Sequence, residues 1–471
     1  MMAVFIATFM TSVEVTIVTT ALPSIISELH GISYQSWIMS AYLLTTAVTT
    51  PVYGKMADSS GRKRVFLWGV FAFTLGSFMS GMSPNIYVLI VSRAIQGIGA
   101  GAVMPLTFTI IADYYSFQDR ARVMAYNNTA WGLSALIGPL LGGFLVDQLS
   151  WHWVFFVNVP LGIIVLVLSW IGYHESPVER KRVKFDWVGI SLLSLTLVSL
   201  LLAVQSLDSA PVIALGLLIL TTISLVALIK VEKRPNISPL ISPEMFENPS
   251  FGVQIITAAV LSGVLIAYQV YFPMWLQSIY RLHATVAGLV VSSSSIMWLL
   301  ASFFVGTVIA KFVPKYVSIF VCVILLIVYS VLVFAGLNFP SWAFYIIAMF
   351  NGGCIGAVIS MNTILSQRFV DQSLIASATS LLTLGRTLGQ TIMTAVFGAV
   401  LNLVISAQRG AIKMSEINNA ISANGNASGI KKVAIDTIIL HGMHSIFAVV
   451  VVLLIIVLIT NIFDPNKKIV R

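Results

Sequence analysis

Charge is what this chain has least of. Only 9% of its 471 residues are Asp, Glu, Lys or Arg, against roughly a quarter in a soluble domain, and this argues against a water-soluble enzyme. Cysteine is almost missing. Cys322 and Cys354 both stand in apolar runs, which leaves no disulfide framework and no thiolate metal site to expect. His441 and His444 have no acid or cysteine pair beside them at membrane depth, so neither a catalytic constellation nor a metal or other cofactor is expected. Acids are scarcer than bases, 17 against 26, giving a formal charge of +9. That excess has an ordinary origin in membrane topology, developed below, and does not require a nucleic-acid partner.

What fills the chain instead is hydrophobic residues, 58% of the total. Apolar runs recur at the length of about 20 residues that a helix needs to cross a bilayer. The hydropathy pattern predicts an all-α integral membrane protein with helices near 3–26, 35–57, 64–82, 86–112, 120–147 and 152–173. A pair follows near 185–206 and 210–230. Six more are expected near 250–277, 285–311, 316–336, 341–367, 373–405 and 438–462. That makes 14 spans, divided as an N-terminal six-helix bundle (1–175), an inserted pair with linkers (176–249) and a C-terminal six-helix bundle (250–471). With the N-terminus inside, 19 of the 26 basic residues fall in inner loops or the tail and five in outer loops, while Arg93 and Arg386 lie within helices. This positive-inside bias accounts for the net charge and places both termini in the cytoplasm. The first helix lacks a basic leader and a cleavage site, so it reads as a retained anchor.

The halves resemble each other. "YVLIVSRAIQGIGAG" from Tyr87 and "YIIAMFNGGCIGAVI" from Tyr345 align Arg93 with Asn351, and Gly54 of "GKMADSSGRKR" aligns with Gly306 of "GTVIAKFVPKY". Matching repeats in two six-helix halves point to a transporter with its site between them. Residues 406–436, the longest polar stretch, read equally as an outer connector or as a structured lid.

One acid is out of place. From Met1 to Ser27 only Glu14 carries a formal charge, and it falls near the middle of its helix. A carboxylate facing lipid there would cost on the order of 3 kcal/mol or more, so it should face a cavity or a cation. Arg93, about 8 residues into the fourth span, is the candidate cation. A buried acid that binds and releases a proton is what proton coupling requires; a static tie between two helices is the plainer alternative.

Four stretches then resemble one family, the major facilitator superfamily, and within it the fourteen-spanner drug/proton antiporters (QacA-like and EmrB-like). "GKMADSSGRKR" is similar to the family's loop between helices 2 and 3, with Gly61 among its motif residues; the resemblance implies that Gly54 permits close helix contact, while Asp58, Arg62 and Arg64 form a charge tie that breaks as access alternates. Ser59 departs from the basic residue common there. "LIVSRAIQGIGAG" resembles the fourth-helix motif, with Arg93, Gln96 and Gly97 in order. "WGLSALIGPLLGGFL" resembles the fifth-helix motif of exporters, through Gly138, Pro139, Gly142 and Gly143. "VEVTIVTTALP" resembles the first-helix signature, with Glu14 where aspartate is usual.

The resemblance implies efflux of small amphiphilic cationic or zwitterionic drugs and dyes across the cytoplasmic membrane, driven by the proton gradient without a cofactor, by a monomer. A dedicated exporter of one metabolite or of a tetracycline-like antibiotic is the alternative. Expected cavity residues, besides Glu14, are Tyr42, Gln96, Asn127, Asn128, Trp131, Tyr268, Gln269, Asn351, Asn362 and Gln390.

Overall fold

The computed structural model describes residues 1–115, 117–173, 187–206, 210–232, 243–370, 375–410, 412–421 and 430–466; the side chains of some further residues, Asp58 and Asn128 among them, and Gly54 lie outside this description. The long helices are α1 (Met2–Leu29), α2 (Gln35–Ser60), α3 (Arg62–Gly81), α4 (Ile86–Tyr114), α5 (Phe117–Gln148), α6 (Asn158–Gly172), α7 (Trp187–Gln205) and α8 (Pro211–Glu232). They continue as α9 (Pro249–Ser278), α10 (Ala284–Lys311), α11 (Pro314–Val333), α12 (Ser341–Arg368), α13 (Ile375–Gln408) and α14 (Ile430–Ile462). A short turn of helix, Trp153–Phe156, leads into α6.

Among the described residues, twelve helices are long and apolar enough to cross a bilayer. Of the fourteen spans expected, α2 and α7 are the two outside that set. The apolar part of α7, Val188–Val204, is short. Threonine dilutes α2, but Thr45, Thr46, Thr49 and Thr50 each donate to a carbonyl one turn back at 2.7–2.8 Å, so these hydroxyls are satisfied within the helix. Trp68, Trp170, Phe303, Phe320 and Phe334 are each more than 60% exposed. So many bare large side chains would aggregate in water; they suit a surface solvated by acyl chains.

Local chemistry sets the helix ends. Asn85 caps α4 by accepting from the N–H groups of Tyr87 (3.1 Å) and Val88 (3.0 Å). Asn248 caps α9, with Pro249 in the first position. Gly61 joins α2 directly to α3 at φ 96°, a conformation that any side chain would strain.

Helices α1–α6 pack chiefly on one another, as do α9–α14. Glycines set the closest approaches within the first set. A Cβ at Gly76 would strike the main chain of Gln96, and one at Gly97 would strike the carbonyl of Tyr42. Gly76→Ala is therefore expected to cost about 1–3 kcal/mol by overpacking. Gly216→Ala, which meets nothing within 4 Å, should be neutral or stabilising by up to about 1 kcal/mol. Thermal denaturation of the two variants in detergent checks the contrast.

The pair α7–α8 is stitched by hydroxyls, Thr196 to Ser224 and Ser199 to Thr221, both at 2.8 Å. Among the described residues α7 is the helix of the pair that docks on the rest, where Leu197 and Leu201 meet Leu44 of α2 and Ala395 of α13. The pair thus straddles the line between the two sets.

The upper end of the molecule is the one at which α1 finishes and α2 begins. The described hydrogen bonds between the two sets run from there to mid-helix. Gln277 donates to the Thr20 carbonyl (3.1 Å), Asn402 to the Ser33 carbonyl (3.0 Å), and Ser292 and Ser295 to the carbonyls of Leu136 (2.8 Å) and Ala135 (2.6 Å). Where α5 crosses α10, a Cβ at Gly143 would meet the Ala284–Thr285 main chain and one at Gly288 that of Pro139. Backbone lies on backbone.

Helix α10 lacks a cap of its own, because His283 makes no capping hydrogen bond. Asp147 of α5 supplies it from the other set, accepting from Ala284 N (3.2 Å), Thr285 N (2.8 Å) and Thr285 Oγ1 (2.6 Å). Loss of such a cap costs about 0.5–2 kcal/mol, or about 2- to 30-fold in an opening equilibrium. Asp147→Ala should accelerate, by that factor, maleimide labelling of a cysteine placed at the enclosed seam residue Leu22, in a chain with Cys322 and Cys354 replaced. An unchanged rate would show that Asp147 does not hold the seam.

Part of the 406–436 segment is structured. Helix Met414–Ala420 buries Ile417 and Ala420, Asn418 Oδ1 accepts from Ile32 N (3.1 Å), and Arg281 donates to the Ala420 carbonyl while pairing with Asp436 (3.1 Å).

Candidate functional site: a sealed carboxylate cage

Glu14 lies twelve residues from the start of α1 and fifteen from its end. Its side chain is fully buried and turned into the α1–α6 set, toward α4 and α6. Arg93 Nη1 donates to Glu14 Oε1, closing an ion pair in which both residues are 0% exposed. Asn158 Nδ2 donates to Glu14 Oε2 at 2.6 Å, so each carboxylate oxygen has its own donor.

Further groups complete the cage. Arg93 Nε donates to the Ile38 carbonyl (3.1 Å), and Nη1 also reaches Gln96 Oε1 (2.5 Å). Gln96 Nε2 and Asn158 Nδ2 both donate to Ser77 Oγ, each at 3.1 Å, and that hydroxyl donates to the Phe155 carbonyl at 2.9 Å. The guanidinium stacks 4.4 Å from the Tyr42 ring centroid and 5.7 Å from that of Phe155. Two polar atoms remain without partners, Arg93 Nη2 and Asn158 Oδ1. A buried pair of this kind contributes little net stability, since desolvation offsets attraction, but removal of one partner strands the other charge.

The expected site residues divide by location. Glu14, Arg93 and Gln96 come together, and Tyr42 floors the cage, so none of them opens onto a cavity in this arrangement. Tyr268 donates to the Val290 carbonyl (3.2 Å), and Asn351 accepts from Tyr329 OH (2.6 Å). Asn362 and Asn127 are 0% exposed, the latter accepting from Thr8 Oγ1 at 3.0 Å. In this arrangement these buried residues make helix-to-helix polar contacts, while Asn351 Nδ2, Asn362 Oδ1 and Asn127 Nδ2 keep no partner among the described residues. Trp131 is 39% exposed, and Gln269 and Gln390 are partly exposed. Asn128 and Asp58 lie outside the described side chains.

The motif glycines are packing surfaces. A Cβ at Gly138 would strike Thr16 and one at Gly142 the main chain of Ile17, so Gly138 and Gly142 let α5 lie on α1, while Gly143 faces α10. Pro139 is buried within α5 beside Gly288. In the turn between α2 and α3, Lys63 Nζ donates to the Trp170 carbonyl (2.8 Å), Arg62 is partly buried and Arg64 is exposed.

Sequence reasoning passed over Asn158 and Ser77. Asn158, in "FFVNVPLG", is a lone amide at the start of an apolar run, a signal that a census of mid-membrane amides would have found. Ser77 carries none, since serine is common helix packing in membranes.

Comparison with known proteins agrees with this architecture. The family model described as Major Facilitator Superfamily matches residues 4–394. The chain is 30% identical to "Multidrug resistance protein 3" of Bacillus subtilis (strain 168), over 89% of this chain and 81% of that protein. It is 28% identical to "Multidrug efflux pump SdrM" of Staphylococcus aureus (strain N315), over 86% and 92%. Among solved structures, a bacterial homologue of the human lysosomal transporter Spinster, inward-facing and unoccupied, superposes with a TM-score of 0.70 at 14% identity, covering 98% of this chain and 95% of that one. A D-xylose–proton symporter superposes with a TM-score of 0.61 at 13% identity, over 100% and 98%. At such identities the structural likeness speaks for the fold.

Proposed function

Because the chain belongs to the Major Facilitator Superfamily, a family of membrane transporters rather than enzymes, we propose that it is a proton-coupled multidrug exporter. It moves small amphiphilic drugs and dyes out through the cell membrane by alternating access between two six-helix bundles, 1–175 and 250–471. The observation that carries this reading is the enclosed Glu14–Arg93 pair with a hydrogen-bond donor on each carboxylate oxygen. Protonation of Glu14 removes the charge that holds Arg93, so proton binding and release change the bond between α1 and α4. The proton thereby acts on the packing of the first bundle. Support for the cargo comes from the relatives named as multidrug proteins.

The remaining particulars follow from the same reading. The chain is of the fourteen-spanner type, with α2 and α7 added to the twelve strongly apolar helices, and it works as a monomer without a cofactor. Both termini are cytoplasmic by the Lys/Arg bias, which makes the upper end extracellular. The closed upper seam is then the outer gate.

The test is uphill transport by the purified, reconstituted full chain. Inside-out proteoliposomes with an acidic lumen should accumulate the zwitterionic dye rhodamine B against its gradient, and a protonophore should collapse the accumulation. Accumulation that survives the protonophore, or that requires ATP or a sodium gradient, overturns the proposal.

A further inference from the structure

The Glu14–Arg93 pair does not exhaust the charge inside the helices. Arg386 stands eleven residues after the start of α13 and within its apolar span, Leu381–Gln408. Its side chain is only partly buried, and among the described residues no hydrogen bond or ion pair reaches it. An ionisable group at such a position marks a pathway or binding site when it faces the protein interior.

Contacts on either side fix how α13 is turned. Gly385 and Gly389 lie against Ile255 and Ala259 of α9, while Leu388 and Ala395 pack toward α2 and α7. Thr394 and Phe397 enter the narrow space lined from the other half by Leu22 and Met39. Arg386, Gln390, Thr394 and Phe397 follow at spacings of four, four and three, the stripe of a single helix face. This face therefore looks across the seam toward the first half. Gln390 and Arg386 continue it below the closed part, Arg386 about 12 Å beneath Thr394 at helical rise.

The charge balance along that path is one-sided. Glu14 is sealed and cancelled by Arg93. Among the described side chains at membrane depth, the seam therefore carries an uncompensated cation and no free carboxylate to draw a positive cargo.

We propose that Arg386, with Gln390 one turn above it, is a cargo-binding site for a carboxylate, so that the preferred cargo is a carboxylate-bearing amphiphile (a zwitterion or organic anion) and not a permanent cation. A guanidinium meets a carboxylate through two parallel N–H donors, and the Gln390 amide adds a third. The inference deepens the efflux reading above and rests on it.

The experiment uses a dye with and without the acid, rhodamine B and its ethyl ester, on the purified full chain. Rhodamine B should bind wild type about tenfold or more tightly than the ester, by fluorescence anisotropy at one pH. Arg386→Gln should erase that preference through loss of acid binding, with the cationic ester held no more weakly than by wild type because a repelling charge is gone, and Arg386→Lys should retain part of the preference. Equal binding of the two dyes to wild type, or equal losses of both in Arg386→Gln, overturns the site; the wild-type comparison does not depend on any variant folding. Proteoliposome transport separates the two proposals. Proton-driven export of the ester without a preference for the acid sinks the Arg386 site alone, whereas proton-independent movement of both dyes sinks the efflux reading.

Discussion

Glu14→Gln, reconstituted with an imposed proton gradient, is expected to lose uphill dye accumulation altogether while still inserting and folding, at a stability lowered by the stranded Arg93 charge. The amide keeps the size of the side chain and can accept from Asn158, so the cage around it persists. What it cannot do is titrate. A transporter whose driving ion has no group to bind becomes at best a facilitator, equilibrating dye without concentrating it. Uphill accumulation by the variant above about a tenth of wild type, one decade in rate, would remove Glu14 from the mechanism. Counterflow exchange, which needs no net proton movement, serves as the control that the pathway still cycles.

The second large effect is on stability. Arg93→Met leaves the Glu14 carboxylate enclosed with only the Asn158 amide on it, and also strips a donor from the Ile38 carbonyl. Breaking a buried pair by removing one partner typically costs about 3–5 kcal/mol. Removing both charges is far milder, so Glu14→Gln combined with Arg93→Met should recover most of the loss. Reversible unfolding in mixed micelles, run as a double-mutant cycle, measures the coupling. Near-additive effects would mean that the two charges do not stabilise each other, and the cage would then be an incidental arrangement.

How far these features could be read beforehand differs from residue to residue. Glu14 was legible because a lone charge in a 27-residue uncharged stretch has few physical explanations. Arg93 was legible as its candidate partner through the fourth-helix pattern, but contact between residues 79 positions apart is a property of packing and could not be read from spacing. Most helix limits followed from hydropathy. The weaker cases, α2 and α7, are those where threonines or a short apolar stretch dilute the signal.

The polar side chains of the second half were less legible. Tyr268, Asn351 and Asn362 look like pathway linings because polar groups in apolar helices need water or a partner, and the sequence does not say which. The structure gives them helix neighbours. Arg386 shows the converse: it was counted only as a basic residue inside a helix, and its importance emerged once Glu14 was found sealed against Arg93, leaving Arg386 without a described partner.

The backbone-to-backbone crossing at Gly143 and Gly288 has a mechanical corollary. With no side chains between them, α5 and α10 can turn there but cannot slide apart without losing contact, so the crossing acts as a fulcrum. From Gly143, α5 extends about 7 Å to its upper tip and about 39 Å to Phe117 at helical rise. Ser292 and Ser295 tie α5 to α10 farther down, at Leu136 and Ala135, so any parting of the lower ends must first break those two bonds while the glycine crossing holds.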